Sequence, residues 1–255
     1  MIARKIIVEI AALLSLISSS SAVATAVPSA PPSIGVGAQE FDPQTHVAFP
    51  GLPNHVIRVS THVTVNRAPS RGLNYFALQV NFPNRTWAHG GILLVDNRTQ
   101  ANWGGLVDRG GGSHDYTQED PAVDIQLLQN PTGAQHTGSY VWAIGSQYEI
   151  TITRGARITL PPGEYRYIDG TAPVHLTRPR TMWEWKLSIR PESGGSEAFT
   201  STLYDSSDTI DYFLLWNECG YGACGPPQHA NWSPPLYRTS DLPEHDQPVT
   251  DWYKF

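Results

Sequence analysis

Polar and apolar positions alternate with period two over much of the chain, the pattern of strands with one buried face. Ile57, Val59, Thr61, Val63 and Val65 alternate with Arg58, Ser60, His62 and Thr64. Phe76, Leu78, Val80 and Phe82 alternate with Tyr75, Ala77, Gln79 and Asn81. Tyr148, Ile150 and Ile152 oppose Gln147, Glu149, Thr151 and Thr153, and Trp183, Trp185, Leu187 and Ile189 oppose Glu184, Lys186, Ser188 and Arg190. Shorter strands are predicted over residues 91–95, 122–128, 139–144, 163–167, 198–204 and 211–216. Turn formers lie between these runs: Pro83-Asn84, Asp96-Asn97, Gly110-Gly111-Gly112, Asn130-Pro131-Thr132-Gly133, Pro161-Pro162-Gly163 and Ser193-Gly194-Gly195. No segment holds a helical period, and no internal repeat is present. Strands without helices predict an all-β fold, a two-sheet antiparallel sandwich of jelly-roll type. The segment after Gly225, rich in Pro and aromatics, reads as ordered loop wrapping the sandwich, with Trp232, Tyr237, Trp252 and Tyr253 as anchors.

The N-terminus changes the compartment. Arg4 and Lys5 precede an apolar run over residues 6–17, interrupted by Glu9, and Ala22-Val23-Ala24-Thr25-Ala26 supplies an A-x-A cleavage pattern. Residues 1–26 therefore read as a signal peptide, and the protein is expected to be secreted. The apolar run is shorter than the roughly 20 residues of a membrane span, so no membrane span is expected. Residues 27–33 read as a Pro-rich linker, and residues 34–255 as a single sandwich domain. The net charge of −6 argues against nucleic acid, whose phosphates select basic surfaces. Cys219 and Cys224 are the two cysteines of the chain. In an exported protein they are expected to form a disulfide across a glycine-rich loop.

Residues 75–116 concentrate groups suited to chemistry. Gln79, Asn81, Asn102, Asp108 and Arg109 suit hydroxyls or a carboxylate, Trp87 and Trp103 suit the face of a sugar ring, and His89 and His114 titrate near neutrality. The polar face of residues 184–190 is a second candidate for gripping a saccharide. A uronic-acid polysaccharide can be cleaved by β-elimination. That needs a base for the proton beside the carboxylate, an acid for the leaving oxygen and groups that hold the developing charge. Here His89 is the candidate base and Tyr75 or Tyr116 the candidate acid. Gln79, Asn81 and Arg109 would hold the carboxylate, and Trp87, Asn102, Trp103, Asp108 and His114 would complete the binding surface.

Hydrolysis instead needs two carboxylates about 5–5.5 Å apart for retention or about 6.5–9.5 Å for inversion. Glu184-Trp185-Lys186 breaks the one-face acid pair with a lysine, Glu119 and Asp120 are adjacent, and Asp108 with Glu184 is the remaining combination. Hydrolysis ranks below elimination on these grounds, and a non-catalytic carbohydrate-binding protein is the alternative that needs only the tryptophans and amides. No cofactor is expected. Glu119, Asp120 and Asp124 are the candidates for a structural calcium ion, without the regular spacing of a known loop. The nine histidines show no H-x-H or H-x-x-x-H pair, which argues against catalytic zinc. Asn84-Arg85-Thr86, Asn97-Arg98-Thr99 and Asn231-Trp232-Ser233 match the N-glycosylation pattern.

Two stretches carry a resemblance. One is Asn74-Tyr75-Phe76-Ala77-Leu78-Gln79-Val80-Asn81-Phe82 followed by His89-Gly90-Gly91-Ile92. The other is residues 133–138 followed by Tyr140-Val141-Trp142-Ala143-Ile144-Gly145-Ser146-Gln147-Tyr148-Glu149-Ile150. With the Trp-rich segment 182–189, they resemble a family of uncharacterised secreted domains with a concanavalin-like sandwich. The resemblance implies the fold and transfers no catalytic residues. The expectation is a secreted, monomeric, carbohydrate-active sandwich that takes a polysaccharide, most simply as a lyase.

Overall fold

The computed structural model describes residues 39–41, 45–84, 86–107, 127–128, 137–166, 173–194, 199–220, 228–251 and 253–254. These form β1 (Gln39–Phe41), β2 (Thr45–Phe49), β3 (Val56–Arg67), β4 (Leu73–Asn81), β5 (Thr86–Val95), β6 (Arg98–Val107), β7 (Leu127–Leu128), β8 (Thr137–Ser139) and β9 (Gln147–Leu160). They continue as β10 (Gly163–Arg166), β11 (Pro173–Leu176), β12 (Arg180–Pro191), β13 (Phe199–Asp205), β14 (Tyr212–Gly220), β15 (His229–Trp232), β16 (Leu236–Thr239), β17 (Gln247–Pro248) and β18 (Tyr253–Lys254). No helix occurs among the described residues.

The strands build an antiparallel sandwich. The larger sheet runs β1-β15-β3-β9-β12-β13-β7, with β16 and β17 attached beside β3. The smaller runs β18-β2-β14-β4-β5-β6-β8, and β10 and β11 form a separate ribbon. The alternation explains why two layers form. Val59, Val63, Ile150, Ile152, Trp185, Leu187 and Ile189 line the inner face of the larger sheet. Val47, Phe76, Leu78, Val80, Ile92, Phe213 and Leu215 line that of the smaller one, and together they make one continuous core. Each such side chain contributes about 1.5–3 kcal/mol when fully buried.

Local irregularities have identifiable causes. Pairing with β16 sets Arg238 opposite Arg58 and Thr239 opposite Val56, which leaves Ile57 as the extra residue of a bulge. Val56 therefore enters the core and Ile57 is only half-buried, where simple alternation predicts Ile57 inside. On β9 a second bulge sets Gly155 and Ala156 against Glu184. The Glu184 carboxylate accepts the Ala156 N–H at 3.1 Å and meets Lys186 at 3.3 Å, so it serves the backbone of the bulge. The predicted turn Asp96-Asn97 joins β5 to β6 with φ of 45° and 63°. These are the positive values of a two-residue hairpin turn whose twist matches its strands.

Two expectations change. Residues 140–144 are not a strand: Trp142 is buried and its indole N–H donates to Leu93 O at 3.0 Å in place of a ladder bond. The segment after Gly225 is more than loop. Its β15 and β16 pair with β3, and β18 pairs with β2. Trp232 is fully buried and Tyr237 packs against the core, whereas Trp252 lies outside the described residues. Of the strand expected over 122–128, only Leu127–Leu128 is described.

One polar clasp joins the layers. Asp205, at the end of β13, is fully buried. It accepts Thr86 Oγ1 at 2.6 Å and Asn84 Nδ2 at 2.9 Å from the β4–β5 corner of the smaller sheet, and Ser207 N at 2.7 Å. Burial is the main influence on this carboxyl and raises its pKa to about 6, against the lowering effect of those donors.

Candidate functional site

The site is built on the outer face of the smaller sheet, and strand register decides who meets whom. His46, Trp216, Ala77, Gly91 and Asn102 form one row across β2, β14, β4, β5 and β6. Leu214, Gln79, His89 and Gly104 form the row on one side, and Glu218, Tyr75, Leu93 and Gln100 the row on the other. The centre of the grid is Ala77 and Gly91, two residues with almost no side chain. A Cβ at Gly91 would stand 2.0 Å from Phe76 O, so glycine is required there by the close approach of β4.

Larger groups lean over this small-residue floor. Tyr75 and Trp216 have ring centroids 5.0 Å apart, Tyr75 and His89 5.4 Å, and His89 and Trp216 5.4 Å, all edge to face. Such arrangements match the positive ring edge to the negative face. Trp87 lies against His89 at 5.2 Å. The Tyr75 hydroxyl donates to Asn102 Oδ1 at 2.9 Å. His46 Nε2 is 3.3 Å from Glu218 Oε1. Gln79 Nε2 donates to Asn81 Oδ1 at 3.2 Å.

The cluster is dry. Tyr75 is 1% exposed, His89 2%, Asn102 and Trp216 4%, and Glu218 7%. Gln79 and Trp87 are half-buried and form its solvent-facing part. Burial, and then the charge of Glu218, raise the Tyr75 pKa well above the ordinary phenol value. The Tyr75 phenol therefore keeps its proton at neutral pH and is unsuited to act as a base. Two buried donors, Trp216 Nε1 and Asn81 Nδ2, have no acceptor among the described residues.

Of the residues singled out in the sequence, Tyr75, Gln79, Asn81, Trp87, His89 and Asn102 come together on this face. Trp103 does not. It lies on the inner side of β6 opposite Gly90, is fully exposed to the core and not to solvent, and cannot stack on a substrate ring. The alternation that turns Asn102 outward turns Trp103 inward. Tyr116, Asp108, Arg109 and His114 lie outside the described residues, as do Cys224 and the calcium candidates Glu119, Asp120 and Asp124. Cys219 is buried. The described residues hold no group of three or more His, Cys, Asp or Glu arranged for a metal.

His46, Trp216 and Glu218 escaped the sequence reading. The predicted strand 211–216 stops short of Glu218, although Leu214, Trp216 and Glu218 continue its outer face. The decisive fact is the antiparallel pairing of β14 with β4, which sets Glu218 opposite Tyr75. No local pattern encodes that pairing.

Comparison with known proteins adds little chemistry. No protein-family model and no curated protein matches the chain. Among solved structures, the chain is similar to Scytalido-glutamic peptidase with a peptide-based transition-state analogue. The TM-score is 0.32 at 8% identity, covering 87% of this chain and 76% of that one. A likeness this slight is no argument about activity.

Proposed function

We propose that this is a secreted, monomeric carbohydrate-active protein that cleaves a uronic-acid polysaccharide by β-elimination on the outer face of the smaller sheet. The observation that carries the reading is the juxtaposition of His89 and Tyr75, with ring centroids 5.4 Å apart. His89 takes the proton beside the uronate carboxylate. Tyr75, held neutral by burial and by Glu218, gives its proton to the leaving oxygen. Gln79, directly opposite His89, and Asn81, whose Nδ2 has no acceptor among the described residues, hold the carboxylate as charge develops. Substrate enters past the half-buried Trp87. No cofactor takes part. The Cys219–Cys224 bridge belongs to the same proposal and fixes the end of the strand that carries Glu218.

Glycoside hydrolysis is the second reading, and Glu218 favours it as a buried carboxylate beside His46. Its weakness is a missing partner: Glu218 is the single carboxylate carried by β2, β4, β5, β6 and β14, and the hydrolytic mechanisms use two.

The test separates turnover from binding. His89→Ala is expected to abolish cleavage while retardation on a polysaccharide affinity gel persists, and Trp87→Ala to weaken both. Cleavage that survives His89→Ala overturns the assignment of the base.

A further inference from the structure

The three N-glycosylation patterns occupy different structural settings. Asn84 sits at the β4–β5 corner with its carboxamide fully used. Nδ2 donates to Asp205 Oδ1 at 2.9 Å and to Ser206 Oγ at 3.1 Å, and Oδ1 accepts Thr86 N at 3.0 Å. A sugar on Nδ2 would replace one of those hydrogens and wedge itself beside a fully buried carboxyl. Asn231 lies in β15 between β1 and β3, opposite Glu40 and Thr64. Its neighbour Trp232 is fully buried, and the hydroxyl of Ser233 already accepts His62 N at 2.8 Å.

Asn97 differs on each count. It is exposed, as are Asp96 and Arg98 beside it. It occupies the tip of the β5–β6 hairpin with φ of 63°, a left-handed conformation that asparagine tolerates better than most residues. From Gly91 to the end of β5 the strand runs about 14 Å, so a glycan at the tip clears the floor of the candidate site.

We propose that Asn97 is the N-linked glycan site of the protein. This rests on export through a secretory pathway, as residues 1–26 imply. The Asn97 amide nitrogen attacks the anomeric carbon of a lipid-diphosphate-linked oligosaccharide. The sugar–phosphate bond breaks, the lipid diphosphate leaves with the electron pair, and Nδ2 loses one proton. Chains modified at Asn84 fail to close the clasp with Asp205.

The experiment expresses the chain in yeast behind its own leader and, in parallel, with residues 1–26 exchanged for the host leader. Protein from the medium is treated with a glycosidase in heavy-oxygen water, and each occupied asparagine is read by peptide mass. Asn97 is expected to carry the isotope label and Asn84 not to. Thr99→Ala removes the acceptor pattern while keeping Asn97 in its turn, and is expected to lower the intact mass by one glycan with unchanged polysaccharide binding. If only the host-leader form is secreted, the leader reading of residues 1–26 fails and the proposal that rests on it is overturned, even where Asn97 is labelled. Secreted protein unlabelled at Asn97, or labelled at Asn84, overturns the proposal.

Discussion

On the outer face of the larger sheet, Arg58 meets Glu149 at 3.2 Å and Asp246 at 2.6 Å, and Arg238 binds the same Asp246. The Lys186 side chain there is 54% exposed. On the outer face of the smaller sheet, Tyr75, His89, Asn102, Trp216 and Glu218 are all buried. Both faces alternate against the same core, and both looked suited to a saccharide in the sequence. They differ in solvation. Paired charges that keep part of their surface in water cost less to keep than fully buried ones. A phenol, an imidazole and a carboxylate withdrawn from water are costly unless held by partners, and burial raises the pKa of the phenol. The proposed chemistry therefore sits on the buried face, and the paired charges of the other face tie β16 and the segment beside β17 to β3.

The largest predicted effects test that division directly. His89→Ala and Tyr75→Phe should each lower turnover by about a hundred- to ten-thousand-fold, the range of general acid–base catalysis, with the fold retained by circular dichroism. Loss of the fold in Tyr75→Phe would assign that phenol to packing instead. Trp103→Ala should destabilise the protein by about 3–5 kcal/mol, because it empties a core site. Its binding per folded molecule should be unchanged, which denaturant titration beside an affinity gel would show.

The clasp between the sheets predicts a pH dependence of known sign. The Asp205 pKa is raised to about 6 in the folded state, above the roughly 3.9 of an unfolded aspartate. The native state therefore binds the extra proton. Stability rises as pH falls from above 6 toward 4, by about 3 kcal/mol across that window. The hydrogen bonds agree. Thr86 has one hydroxyl hydrogen for two acceptors, Asn84 Oδ1 at 2.7 Å and Asp205 Oδ2 at 2.6 Å. A proton on Oδ2 lets the carboxyl donate to Thr86 and frees that hydrogen for Asn84. Asp205→Asn should flatten the slope, and urea titrations at several pH values would show it. The smallest effect belongs to the solvated face: Lys186→Ala, at a side chain that is 54% exposed, should cost about 1 kcal/mol or less and less still in high salt, with turnover unchanged.

How far the sequence reached depends on the range of the interactions involved. Period-two alternation identified the inner faces of β3, β4, β9 and β12, because facing is a local property. The bulge at Ile57 was hidden because it arises from pairing with the distant β16. Asn102-Trp103-Gly104-Gly105 falls outside the strands predicted from the alternation, yet it belongs to strand β6, and the strand parity separates Asn102 from Trp103. His89 and Tyr75 were legible as candidates by composition. Glu218, Trp216 and His46 join them through strands remote in sequence, and no spacing rule predicts that meeting.

Elimination at a buried His–Tyr pair leaves an unsaturated uronate, so product analysis decides whether it occurs. The mature protein would be incubated with hyaluronan, alginate, pectate, glucuronan and neutral glucans while unsaturated-uronate absorbance and reducing ends are followed together. Elimination makes both rise together on one of the acidic polymers and neither on the neutral glucans. Reducing ends without the unsaturated product, or no cleavage of any polymer, would rule elimination out.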